Sequence, residues 1–172
     1  LDWTVVRPPA VYGPGDRESL ELFRMAARGL ILLPPKGRLS VIHVHDLADL
    51  LLRLAEAPTT IGQTLEPDDG QADGWSNRGF AAAIARAVGR PTALRLSLPG
   101  PVLMLGAAAD TAWARLGGRL PKLSFDRARY FCHPDWMAAK EHRPDAALWH
   151  AAIETPEGLA ATAAWYRENG WL

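Results

Sequence analysis

One cysteine, Cys132, in 172 residues rules out an internal disulfide and fits a reducing, cytoplasmic compartment. Net charge is missing too. The 19 basic and 19 acidic residues balance to a formal zero, which gives no reason to expect nucleic acid or an anionic membrane as a partner. No stretch is long enough to cross a bilayer: residues 96–109 are uncharged, but Arg95 and Asp110 bound them and Pro99 and Pro101 interrupt them. That segment reads as core or interface. Low-complexity tracts and internal repeats are absent. So are a secretory leader and an initiator Met, and the chain opens inside an apolar stretch as though cut from something longer.

What is present is a folded composition, with 48% hydrophobic residues and enough length for one domain with a real core. The chain is organised around residues 1–16, LDWTVVRPPAVYGPGD. Trp3, Thr4, Val5 and Val6 form a near-continuous apolar run, suited to a parallel strand covered on both faces. Arg7 breaks the run, and Pro8 and Pro9 end any ladder because neither can donate a backbone hydrogen bond. Tyr12-Gly13-Pro14-Gly15-Asp16 then carries turn chemistry. In open α/β sheets ligands lie outside the carboxyl ends of the strands, which is where this loop falls.

Helical spacing follows in Leu20, Phe23, Met25, Ala26 and Ala27, with Asp16 or Ser19 as cap and Gly29 as stop. Leu30 to Leu33 is a short apolar run, and residues 39–44 read as a second strand. Asp46 stands where an N-cap belongs, before a strong helix over residues 47–55. A strand over 62–67, an acidic turn-rich loop over 68–74 and a helix from Ser76 to Val88 come next. Leu94, Leu96 and Leu98 alternate as a strand does, residues 102–116 read as helix, and 126–131 as a helical turn. Thr155 is a natural cap for the last helix, with Pro156 at its first position.

His43 and His45 invite a metal reading, since alternate strand residues share a face and neutral imidazole binds zinc. No third ligand is convincingly placed, so no metal is expected, and His43 reads as a packed strand histidine. Tyr12 and Arg17 stand at the mouth of the same cleft, either as substrate contacts or as ordinary surface residues. Lys36 and Arg38 read as a solvated turn, and Trp165, Tyr166 and Trp171 as anchors of the C-terminus.

Two motifs, Arg7-Pro8-Pro9-Ala10-Val11-Tyr12-Gly13-Pro14-Gly15-Asp16 and Ile42-His43-Val44-His45-Asp46-Leu47-Ala48, carry a resemblance. In order and spacing they resemble the extended short-chain dehydrogenase/reductase family, the NAD-dependent epimerase/dehydratase group, in its C-terminal half only. The resemblance runs down to Gly158-Leu159, Trp165-Tyr166 and Gly170-Trp171-Leu172. It implies an α/β fold: the C-terminal part of a Rossmann-type doubly wound parallel sheet plus a small, mostly helical substrate-binding subdomain. About 1–15 and 40–70 would be sheet-side; 16–39 and 75–172 would be mainly substrate-side.

The same resemblance implies that NAD or NADP serves the intact parent, with Pro8, Pro9, Ala10 and Val11 as a backbone platform beside the nicotinamide. The bland reading of those four residues is a strand-to-helix loop. Tyr12, Arg17 and His43 would face a small-molecule substrate. The glycine-rich fingerprint and the Tyr-x-x-x-Lys pair are absent from these 172 residues, so no catalytic residue is expected here and the upstream half becomes a required partner. A homodimer stays open. Family members that bind nucleotide sugars commonly place Asn where Ala10 stands and Arg where Leu39 stands; their loss favours a less polar alcohol or carbonyl compound, although Arg38 could substitute for that Arg after a one-residue shift. The rival readings are a nucleotide-sugar epimerase/dehydratase and a non-catalytic dinucleotide-binding scaffold, since fold does not fix function.

Overall fold

The computed structural model describes residues 1–118, 120–121 and 123–172. Two parallel pairs form the sheet side. Strand β1 (Val5–Val6) does not run straight into the loop. After the Arg7 amide has donated to the Leu65 carbonyl at 2.8 Å, the prolines intervene and the chain resumes as β2 (Ala10–Tyr12). Pro8 and Pro9 therefore exchange one ladder for another, a correction to the expectation that they end pairing altogether. The sequence reason is local. A residue without an N–H leaves a gap in a ladder, but nothing prevents the residues beyond it from pairing.

Helix α1 (Arg17–Ala27) follows, capped by the Asp16 carboxylate, which accepts from the Glu18 and Ser19 amides at 2.8 and 3.1 Å. Next come β3 (Leu30–Leu33), β4 (Arg38–Leu39), β5 (Val41–His43) and α2 (Val44–Leu54). They lead to β6 (Thr64–Leu65), β7 (Trp75–Ser76) and α3 (Asn77–Ala87), where Ser76 caps by accepting from the Gly79 amide at 3.0 Å. The remainder is β8 (Leu94–Ser97), α4 (Gly100–Leu116), α5 (Phe125–Cys132), β9 (Asp135–Trp136) and α6 (Thr155–Glu168).

Pairing is parallel for β1 with β6, β2 with β5, β3 with β8 and β4 with β9, and antiparallel for β4 with β7. Strand β5 is buried throughout, as a parallel strand covered on both faces should be. Val41 joins the main core, packed among α1, α3 and α6 with Phe23, Ile84, Leu159 and Tyr166. Its neighbour Ile42 faces a second cluster with Leu50 of α2 and Trp149. That alternation is what a doubly wound layer requires. In β3, Ile31 and Leu33 are buried while Leu30 and Leu32 are exposed, so the parallel β3–β8 pair is a one-sided sheet.

The last helix is held to the first. The Tyr166 hydroxyl donates to the Asp16 carbonyl and lies 3.1 Å from Ser19 Oγ; its ring is edge-on to Phe23 and stacked on Trp171. Burial, chiefly, raises its pKa. The aromatic anchoring expected of Trp165, Tyr166 and Trp171 takes this form.

Two caps differ from expectation. Helix α2 starts at Val44 and its N-cap is His43, whose Nδ1 accepts from the His45 amide at 3.3 Å. Asp46 lies within the first turn, 5% exposed, and its carboxylate accepts from the amides of Ala152 and Ile153 at 3.1 and 3.2 Å. It is a tertiary clamp, not a cap. Helix α6 is capped by Glu154 without a side-chain bond, and Thr155 instead donates its hydroxyl to Asp69 at 2.7 Å. The Asp46 carboxylate and the Thr155 hydroxyl both found distant partners, which a local spacing rule does not register. His43 and His45 also fail to alternate along one strand, because β5 ends at His43.

Candidate functional site

Where β2 and β5 end, the chain makes a tight turn, with the Asp16 amide donating to the Gly13 carbonyl at 3.2 Å. Gly13 has φ 151°, and a Cβ there would stand 2.5 Å from Val44 Cγ1. Only glycine lets this turn lie against the start of α2. A shallow cavity of about 290 Å³ opens here, lined by Val11, Pro14 and Val44 among others. A larger hollow of about 530 Å³ lies at the other end of β1, between Trp3 and the tail of α2 at Leu51 and Leu54. Ligands in open α/β sheets sit at the carboxyl ends, so the smaller cavity is the candidate despite its size.

Of the four residues expected beside a cofactor only Val11 lines this cavity, half-buried; Pro8 and Ala10 are exposed and Pro9 half-buried on the stretch that leads into it. Tyr12 touches the cavity, but its ring is 2% exposed and its hydroxyl lies 3.5 Å from the Thr155 carbonyl, a long contact. Burial, above all, pushes its pKa up to about 12, so it remains a phenol at any physiological pH. His43 meets Tyr12 edge-on at 5.2 Å and is 4% exposed. Burial first, and His45 beside it second, push its pKa below the usual value, so the ring is neutral. With Nδ1 accepting from His45, the proton sits on Nε2, which has no hydrogen-bond partner among the described residues.

Gly158 of α6 closes this floor from the other side. A Cβ on it would stand 2.7 Å from Tyr12 Oη, 3.0 Å from His43 Cδ2 and 3.1 Å from Ile153 Cγ2. The structure thus brings Tyr12, His43 and Gly158 together as one packed unit beneath the turn. Arg17 is not part of it. That side chain is exposed on the first turn of α1, with its guanidinium carbon 5.2 Å from the Trp171 ring centre. Arg38 is exposed as expected, but its Nε donates to the Asp73 carbonyl at 2.7 Å. Among the described residues no group of three or more His, Cys, Asp or Glu is placed to hold a metal ion.

The acidic loop expected over 68–74 does more than turn. Buried Asp68 accepts from Arg143 at 2.6 Å, from Ser40 at 3.2 Å and from the Gly70 amide at 3.0 Å. Asp69 accepts from Trp75 Nε1 and Thr155 Oγ1, both at 2.7 Å. Glu66 accepts from the Ala139 amide at 2.8 Å, which is the main reason its pKa is lowered. Glu66, Asp68 and Asp46 fasten the segment between β9 and α6 to the sheet side, and Asp69 ties the first residue of α6 to Trp75 of β7. Sequence reading missed them, and the only available signal was a cluster of acids next to a strand end.

This geometry, parallel strands with a proline-glycine loop at their carboxyl ends and helices on both faces, defines an α/β fold of Rossmann type. No protein-family model matches the chain. It is 36% identical over 171 residues to "Ceramide reductase" of Caulobacter vibrioides (strain NA1000 / CB15N), a match that covers 98% of this chain. The chain spans about half of that protein, 52% of its length. Among solved structures it resembles the human epimerase family protein SDR39U1 with NADPH, with TM-score 0.65 and 20% identity over 94% of this chain and 48% of that one. It also resembles the dTDP-glucose 4,6-dehydratase of Bacillus anthracis str. Ames in complex with NAD, with TM-score 0.64 and 16% identity over 96% of this chain and 45% of that one. At those identities the likeness to solved structures is one of fold.

Among the described residues no helix is long and apolar enough to cross a membrane.

Proposed function

We propose that this chain is the substrate-side half of an NAD(P)-dependent oxidoreductase of the extended short-chain dehydrogenase/reductase family, acting on a carbonyl or alcohol group of an apolar, lipid-like compound. One observation carries the reading: 36% identity, over 98% of this chain and 52% of the relative, with a protein called a ceramide reductase. The site is compatible in chemistry. Pro8 and Pro9 have no N–H, so this stretch offers carbonyl acceptors with few competing donors, which suits the N–H groups of a nicotinamide carboxamide. Bound there, the nicotinamide supplies hydride transfer.

Residues of this chain position it. Pro8, Pro9, Ala10 and Val11 form the platform and neutral His43 and Tyr12 make a dry floor, while Arg17, over the Trp171 ring on the first turn of α1, would have to swing away to reach a substrate. Residues 1–15 and 40–70 serve the sheet side, and 16–39 and 75–172 mainly the substrate side. Ala10 and Leu39 present no amide or guanidinium to a sugar diphosphate, which is why an apolar substrate is favoured over a nucleotide sugar. The test gives the full-length protein NADH or NADPH with either a long-chain keto amide or a dTDP- or UDP-sugar. Turnover of the lipid carbonyl alone is expected. Turnover of the nucleotide sugar alone, or dinucleotide binding with no turnover of either, overturns the reading.

A further inference from the structure

Residues 96–109, read from sequence as core or interface, are not core. Of α4, only Ala107 and Ala114 are buried, and the helix packs chiefly on α5. Its opposite side is open. Val102, Leu105, Ala109, Ala112, Trp113 and Leu116 are all exposed. At 3.6 residues per turn they fall within about 100° of arc and run about 21 Å along the axis. Leu105, Trp113 and Leu116 are 72%, 71% and 85% exposed. No charged residue interrupts the stripe.

Charge gathers just beyond it. Residues 115–129 hold five basic residues, Arg115, Arg119, Lys122, Arg127 and Arg129, against the single acid Asp126. The zero net charge of the whole chain hides this segregation, and the expectation that no anionic surface is a partner rested on that average. Arg115 and Arg129 are exposed, and Arg127 lies 3.8 Å from Glu18, itself 87% exposed. An exposed apolar helix face with a tryptophan near its end, followed in the chain by a basic flank, offers a lipid interface apolar surface and cations side by side. The apolar stripe enters the acyl boundary while arginine and lysine meet anionic headgroups. A protein partner would be expected to match the stripe with its own apolar surface, but it would have no need of the basic flank.

We propose that the exposed face of α4, with the basic segment behind it, seats the protein on the surface of an anionic lipid bilayer. The helix lies on the membrane and does not span it. The proposal is independent of the reductase reading, because it concerns lipid contact with neither cofactor nor substrate present.

The experiment is co-sedimentation of the full-length protein with vesicles of pure phosphatidylcholine or of phosphatidylcholine with about one-third phosphatidylglycerol, at low and high salt. At least tenfold tighter binding to the anionic vesicles is expected, weakening as salt rises. Leu105→Ser with Trp113→Ser should lower that binding at least tenfold, and Arg115→Glu with Arg129→Glu should abolish the preference for phosphatidylglycerol. Thermal unfolding confirms that each variant folds; since all four side chains are exposed, it should be unchanged. No binding to anionic vesicles, or binding that both double variants leave intact, overturns the proposal. So does a lipid-free dimer that the Leu105/Trp113 variant dissolves, which would assign the face to a second copy of the protein.

Discussion

Gly158→Ala tests the packed floor beneath the candidate site. In a helix interior this change normally stabilises by about 1 kcal/mol, because alanine loses less backbone entropy. Here the new methyl would stand 2.7 Å from Tyr12 Oη, 3.0 Å from His43 Cδ2 and 3.1 Å from Ile153 Cγ2. The first two belong to buried aromatic rings at the ends of paired strands, which cannot rotate aside. Forcing a methyl into a filled core costs about 1–3 kcal/mol, enough to outweigh the propensity gain. A net loss of about 1 kcal/mol is expected. Tyr12→Phe alone should cost little, since it removes only a 3.5 Å contact to Thr155, and in the Gly158→Ala background it should recover part of the loss. Urea unfolding of the full-length protein, followed by near-ultraviolet circular dichroism, measures all four members of the cycle. Gly158→Ala as stable as the parent, or a cycle with no coupling, would refute the packing argument.

Asp46→Asn separates clamp from cap. Asparagine caps as well as aspartate does, but it has one acceptor oxygen for the two amides of Ala152 and Ile153, so a loss of about 1 kcal/mol or more is expected in urea melts, and no loss restores the capping reading. Stability should decline as pH falls through 6.5: the depressed pKa of folded His43 means the unfolded chain takes up the proton first, and the loss is complete only at the folded value. His43→Asn, which retains a capping oxygen, should flatten that dependence in a pH series of unfolding curves. Residues 1–172 expressed alone should bind neither NAD nor NADP at micromolar levels by calorimetry, because the glycine-rich fingerprint is absent from them. Light scattering should show that same fragment self-associating, since Trp3 and Val5 are 49% and 40% exposed beside an unfinished sheet.

Local chemistry was readable wherever a residue acts on its sequence neighbours. Asp16 and Ser76 cap as their spacing implies, whereas the apolar run over residues 3–6, expected to be covered on both faces, pairs only at Val5–Val6 and leaves Trp3 and Val5 exposed in this chain. The failures share one cause. Asp46, Thr155 and Asp68 each have a side chain that suits a local role, yet each is spent on partners 75 to 107 residues away. A spacing rule weighs only the near partner, and tertiary structure supplied a better one. At the site, the loop's position was legible from strand order, while the inward turn of Tyr12 and the closure by Gly158 depend on a helix that arrives from the far end of the chain. Residues 96–109 could be read only as core or interface, because an uncharged segment looks alike whether it is buried or exposed.

The proposed function is tested most directly by following the hydride itself. The full-length protein is supplied with nicotinamide dinucleotide deuterated at C4 and a long-chain keto amide, and the lipid product is weighed by mass spectrometry. The account predicts one deuterium per molecule of alcohol formed, on the former carbonyl carbon, from the deuterated face of either NADH or NADPH. An alcohol product without deuterium from either face of either cofactor would contradict it, as would a protein that binds the dinucleotide and leaves the lipid carbonyl unreduced.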